Sequence, residues 1–205
     1  MRYRHTTAAT TALIVIAVLA GCSSTPAETP ATPSEEPVAV ETPSTEPAEA
    51  TPVFRMPATC AEILPSSRIA AIESQGLVLL GGPGGRYEND YLLEPSPEER
   101  LGGITCIWGY SDSEVSSITV SVAPLPPANR ASVVESFVAE GLNESEINGA
   151  SVFAQQGDTQ TEPAIINALR ADSWISVIAT VGGTTFFEEG LVILAEATET
   201  AYVAP

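Results

Sequence analysis

Three observations predict an α+β domain, an antiparallel sheet with helices packed on it. Residues 104–110 and 117–122 alternate apolar and polar side chains on either side of a short Ser/Asp turn, the pattern of a β-hairpin. Residues 150–155, 164–171 and 174–181 are three further short runs rich in Val, Ile and Ala. Residues 129–140 and 186–198 carry apolar side chains at helical spacing. Strands joined by tight turns and separated by a few helices make antiparallel sheet covered by helix.

Two segments that build no core precede this domain. Arg2 and Arg4 give a positive start, Ala8–Leu19 an apolar run, and Ala20-Gly21 the small residues ahead of Cys22, which is the order of an export signal. The run is about a dozen residues, short of the roughly 20 that span a bilayer. Leu19-Ala20-Gly21-Cys22 resembles the bacterial lipobox. The resemblance implies removal of residues 1–21, a diacylglyceryl thioether on Cys22, fatty acids such as palmitate, and a protein held on the extracytoplasmic face of the cell membrane by its acyl chains. Residues 23–52 contain only Pro, Thr, Glu, Ala, Ser and Val, with seven prolines and six glutamates. Without aromatic, Leu or Ile side chains they are expected to form a disordered, partly polyproline II tether. Its Thr/Pro content also suits O-linked sugars, though a bare spacer explains it as well.

Residues 53–205 have the length of one domain. Thr59–Leu64 predicts a helical turn, and Ser66 or Ser67 the cap of a helix running to about Ser74 with Ile69, Ala70 and Ile72 as its stripe. Leu77–Leu80 reads as a strand, and Gly81-Gly82-Pro83-Gly84-Gly85 opens a loop reaching Pro95. Ser96-Pro97-Glu98-Glu99 starts a helix, with a cap, a first-turn proline and acids against the helix dipole. In the hairpin, Ile104, Cys106, Trp108 and Tyr110 share one face, opposite Thr105, Ile107 and Gly109, which predicts a strand buried on one side. Ile118, Val120 and Val122 alternate with Ser117, Thr119 and Ser121 in its partner. Pro126-Pro127 ends the hairpin, and Val133, Val134, Phe137 and Val138 form a helical stripe that Gly141 stops. Phe187, Leu191 and Leu194 are the inward stripe expected of the last helix, Phe186 to about Thr198. Strand, turn (Ser111-Asp112-Ser113, then Ala171-Asp172-Ser173), strand and helix thus recur in the two halves, the pattern an internal duplication leaves.

Composition excludes much chemistry. The only histidine, His5, belongs to the export signal, and there is no lysine, so Ser-His-Asp and Cys-His arrangements, His-containing zinc sites and Schiff-base lysines cannot be assembled. Cys60 and Cys106 are the two cysteines of the domain, and outside the cytoplasm an isolated pair is most simply a disulfide. Loss of Arg2 and Arg4 leaves six arginines against 26 acids, moving the net charge from −18 to −20. Nucleic acid and anionic head groups need clustered cations, and Arg55, Arg68, Arg86, Arg100, Arg130 and Arg170 are single, so no nucleic-acid partner is expected.

No catalytic residue, metal ligand or cofactor site is assigned. The glycine run before Arg86 lacks the Lys-Ser/Thr and helix of a phosphate loop and reads as a flexible turn. Arg86, Tyr87, Asp90 and Tyr91, with Asn89, could form a ligand loop for a sugar or peptide, or an ordinary solvated loop. Close carboxylates occur at Glu88/Asp90, Glu98/Glu99, Asp112/Glu114 and Glu188/Glu189, each more readily a solvated surface than a catalytic dyad. Asp112-Ser113-Glu114 lacks the further ligands of a calcium loop. Trp108 and Trp174 are expected in the core.

Cys60-Ala61-Glu62-Ile63-Leu64 followed by Cys106-Ile107-Trp108 resembles a family of actinobacterial secreted lipoproteins with a cysteine before a short Leu/Ile helix and a Cys-x-Trp strand. The resemblance covers the lipobox and most of residues 58–200. It implies a Cys60–Cys106 disulfide and a PsbP-like α+β sandwich, and no reaction. The leading expectation is a non-catalytic envelope module that binds or senses a cell-wall glycan or an envelope protein. Two alternatives are a carrier of a small apolar ligand or lipid, with a cavity lined by residues such as Val120, Phe137, Trp174 and Leu191, and a histidine-free hydrolase with two convergent acids.

Overall fold

The hairpin at residues 104–122 sits inside one seven-stranded antiparallel sheet. The computed structural model describes residues 51–112 and 115–205; the export signal, Cys22 and nearly all of the expected tether lie outside them. All the described residues fall in one compact unit that contains the disulfide and both hydrophobic cores described below. The sheet strands are β2 (Leu77–Gly81), β3 (Ile104–Tyr110), β4 (Ser116–Pro124), β5 (Asn143–Ile147), β6 (Ala150–Gln155), β7 (Ala164–Leu169) and β8 (Ser173–Ala179), in the order β2-β3-β4-β8-β7-β6-β5. β2-β3-β4 and β6-β7-β8 are two meanders that meet where β4 lies antiparallel to β8, with Val120 opposite Val177. A separate two-stranded ladder joins β1 (Val53–Phe54) to β9 (Tyr202–Val203).

Helices cover both faces of the sheet. On one face α1 (Ser66–Ser74) and α4 (Thr184–Ala201) pack through Ile72, Ile193, Leu194 and Ala197 onto Cys106, Trp108, Val120, Ile166 and Val177. On the other, α3 (Pro127–Ala139) packs Val133 and Phe137 against Phe153, Leu169 and Trp174. The Phe137 ring lies 5.3 Å from both Phe153 and Trp174. A four-residue helix, α2 (Pro97–Arg100), closes the same face beside β3 and β4. Burying both sides corrects the expected one-sided strand, because Thr105 and Ile107 of β3 are as buried as Cys106 and Trp108. The duplication pattern holds for the two meanders and stops there: α3 follows β4 onto one face, and α4 follows β8 onto the other.

The Cys60–Cys106 disulfide is present, with Cα atoms 5.6 Å apart, and ties a 3₁₀ turn at Cys60–Glu62 to β3. The glycine run serves this junction. Gly82 adopts φ +94°, and a Cβ there would stand 2.1 Å from the Thr105 carbonyl oxygen and 2.8 Å from the Cys60 sulfur. Only glycine lets the turn lie this close to the sheet. Elsewhere the expectations shift in detail. Pro65, not Ser66 or Ser67, precedes α1, with no side-chain cap. Val138 of the expected α3 stripe is 62% exposed. β5, whose five residues Asn143–Ile147 are all exposed, forms a sheet edge absent from the predicted elements.

Candidate binding cleft

A cleft of about 480 Å³ opens on the α1/α4 face, at the end of β4 and β8. This volume falls within the roughly 300–1,000 Å³ of small-molecule sites. Ile118 of β4, Val177 and Ala179 of β8, and Ile193 of α4 lie deep in it, with Ile72 of α1 as a side wall. Ala179 is the small side chain of the floor, where a longer one would extend into the gap between sheet and helix. At Gly190 the fit is already tight, since a Cβ would come within 2.8 Å of Ile166 Cδ1. The mouth is ringed by Tyr110, Val115, Val181 and Phe186, all exposed large apolar side chains. Gln75, Ser116, Ser117, Thr180 and Thr185 add neutral polar groups.

Arg68 stands behind one lining residue of this site, Glu189. Its guanidinium reaches two acids of α4, donating from Nε to Glu196 at 2.6 Å and from Nη2 to the same carboxylate at 3.1 Å, and pairing with Glu189 through Nη1. Among the described residues, Glu189 is the only carboxylate lining the cleft, and no arginine lines it. The segment leading into α4 is steadied by Asp158, whose carboxylate accepts the amides of Gln160, Thr161 and Glu162 at 2.6–3.0 Å. Those bonds lower its pKa to about 2. The loop they shape docks on the start of α4, where the Gly182 amide donates to the Asp158 carbonyl and the Gly183 amide to the Gln156 carbonyl.

The sheet's other face holds the one buried carboxylate among the described residues, Glu98, 5% exposed. Its partners are the hydroxyls of Ser96 and Ser176. Ser96 Oγ lies 2.6 Å from Thr105 Oγ1, which lies 3.0 Å from Ser121 Oγ, so the acid heads a hydroxyl network under α2. Desolvation raises the Glu98 pKa above the ordinary carboxylate value. Its sequence neighbour Glu99 instead closes the capping box, accepting the Ser96 amide at 2.8 Å. The pair therefore diverges, and Glu98 does not line the cleft.

The expected ligand loop lies elsewhere. Arg86 and Tyr87 turn back on β2, their amides donating to the carbonyls of Leu79 and Leu80. The Arg86 guanidinium stacks 5.3 Å from the Tyr87 ring and donates to the Ser111 carbonyl at 3.0 Å, while the Tyr87 and Tyr91 rings lie 6.2 Å apart. Asp90 is exposed. Glu88/Asp90 and Glu188/Glu189 are on the surface; Ser113 and Glu114, and with them the Asp112/Glu114 pair and the calcium-loop candidate, fall outside the described residues. The cavity expected around Val120, Phe137, Trp174 and Leu191 does not form. Val120 and Phe137 are packed on opposite faces, Trp174 joins Phe137, and Leu191 borders a separate groove of about 340 Å³.

Sequence reasoning missed the cleft because its lining comes from five elements, α1, β3, β4, β8 and α4, spread over more than a hundred residues of chain, with no local motif. Its one readable trace is the apolar Val181 and Phe186 beside Gly182-Gly183, outside any buried stripe. Among the described residues no three His, Cys, Asp or Glu side chains come together as a metal site, and no helix is long and apolar enough to cross a membrane. The chain matches no protein-family model, no curated protein and no solved structure.

Proposed function

We propose that this protein is a membrane-anchored, extracytoplasmic binding module without catalytic activity, and that its ligand is a small apolar or amphipathic molecule held in the α1/α4 cleft. The observation that carries this reading is the cleft itself, about 480 Å³ with an apolar interior and exposed aromatic and aliphatic side chains at its mouth. Exposed apolar side chains gathered around a concavity favour a ligand over solvent. The carrier alternative thus merges with the binding module. The hydrolase reading has less support, because Glu98 is buried away from the cleft and diverges from Glu99. Anchoring rests on Cys22 in its lipobox setting.

Two experiments test the two parts. Titration of residues 47–205 with a neutral naphthylamine dye should show saturable one-to-one fluorescence enhancement, and Ala179→Phe, which fills the floor, should abolish it with the far-UV spectrum unchanged. Unsaturable binding, or binding indifferent to that substitution, would sink the cleft reading. For the anchor, Cys22→Ala should stop incorporation of labelled palmitate and release the chain from the membrane fraction; retention in the membrane would refute lipid attachment at this residue.

A further inference from the structure

We infer that the cleft selects uncharged amphiphiles, taking a single apolar chain or ring system inside and a hydroxylated, non-ionic head at the mouth. This rests on the reading that the cleft holds an apolar molecule and adds what the head must be.

The polar lining carries the inference. Gln75, Ser116, Ser117, Thr180 and Thr185 are exposed or half-buried, and each both donates and accepts. Ser116 Oγ and Thr180 Oγ1 already lie 3.2 Å apart, joining the ends of β4 and β8, and keep hydrogen-bonding capacity for a guest. Such groups match hydroxyls. They do not neutralise a phosphate or carboxylate.

Charge points the same way. No arginine lines the site among the described residues, and Arg68, which pairs with the lining residue Glu189, is committed to Glu189 and Glu196. An anionic head would enter the mouth unpaired, at the desolvation cost of an unmatched charge. It would also meet the field of a chain with 26 acids, eight arginines and no lysine. A cationic head fares little better, because Glu189, the one carboxylate among the described lining residues, already has its partner.

Size sets the apolar part. At roughly 30 Å³ for a group the size of water or a methylene, 480 Å³ holds on the order of 15 such groups, one chain rather than two. Tyr110 and Phe186, 49% and 44% exposed, stand at the boundary between the apolar part and the head, where amphipathic rings are favoured.

The test is calorimetry on residues 47–205 with three chain-matched probes below their micelle concentrations: dodecyl maltoside, dodecanoate and dodecyltrimethylammonium. The maltoside should bind one-to-one and about tenfold or more tighter than either ion. Thr180→Lys and Gln75→Lys, both at exposed positions, should fold normally and narrow the maltoside-to-dodecanoate ratio by about tenfold. Either ion binding as tightly as the maltoside, or both lysine variants leaving the ratio unchanged, would overturn the assignment of the head while leaving the apolar cleft standing. Failure of all three probes would overturn the cleft reading itself. A dimer in sedimentation that the maltoside does not dissociate would assign this mouth to a second copy of the chain and overturn both.

Discussion

Trp108 and Trp174 are both buried, yet their indole donors differ. Trp174 Nε1 donates to Asn167 Oδ1 at 2.9 Å, while Trp108 Nε1 has no partner among the described residues. Trp174→Phe strands a buried amide, whereas Trp108→Phe removes a donor that bonds none of the described residues. The first should therefore cost about 1–2 kcal/mol more than the second in urea denaturation; equal costs would show that the Asn167 bond contributes nothing net. Glu98 gives a second prediction, with the sign set by burial. Its folded pKa is raised, so the folded state holds the proton more tightly. Its contribution is complete below the unfolded value, near 4.5, and is lost as pH rises through the folded value. Glu98→Gln, neutral throughout, should gain stability over the native chain as pH rises above the ordinary value of 4.5; a pH-independent difference between the two would contradict the buried acid. The tryptophans were legible from alternation along their strands. Glu98 was not, because first-turn acids after a cap ordinarily face water, and only the packing of α2 on β3 and β4 turns this one inward.

At the scale of elements, the cleft depends on how α1 and α4 are held. Arg68 is the ionic link between them, so Arg68→Met, which keeps much of the apolar stem, should destabilise the domain by about 1–2 kcal/mol, less in high salt. A loss unchanged by salt would assign the effect to packing of the stem. Ahead of α4, the Asp158 carboxyl has a pKa depressed to about 2, so its support of the 158–162 loop is present above the ordinary value of 3.8 and lost as pH falls through about 2. Amides of Gln160, Thr161 and Glu162 should exchange hydrogen faster in Asp158→Ala than in the native chain, with the rest of the sheet unaffected. Strands with alternating apolar residues and helices with apolar stripes were readable in advance. β5 was not, since Asn-Glu-Ser-Glu-Ile has no apolar period and is a strand only through its pairing with β6. The two-residue β1 and β9 exist only through each other.

At the scale of the whole molecule, the disulfide and the two-sided sheet share the stabilisation. Cys60 and Cys106 are 46 residues apart, and closing that loop contributes on the order of 4 kcal/mol in the chain-entropy model. Cys60→Ala with Cys106→Ala should lower the midpoint of thermal unfolding and leave a folded domain at room temperature, because both cores lie largely outside the bridged loop. Alkylation of the unreduced native domain should label neither cysteine, and modification of either one would contradict the bridge. The α+β class was legible because its strands and helices repeat at their own periods. The faces chosen by α3 and α4, and hence the cleft, depend on packing between distant segments that no local period encodes. The β1–β9 ladder and the disulfide also define a mechanical route. A pull entering through the residues before Val53 falls first on two residue pairs, Val53–Val203 and Phe54–Tyr202. If that ladder peels, the slack ends at Cys60, and tension passes through its sulfur to Cys106 in β3, bypassing α1 and β2. The domain can thus give way by a few residues at its entry point while the α1 wall of the cleft stays out of the line of force.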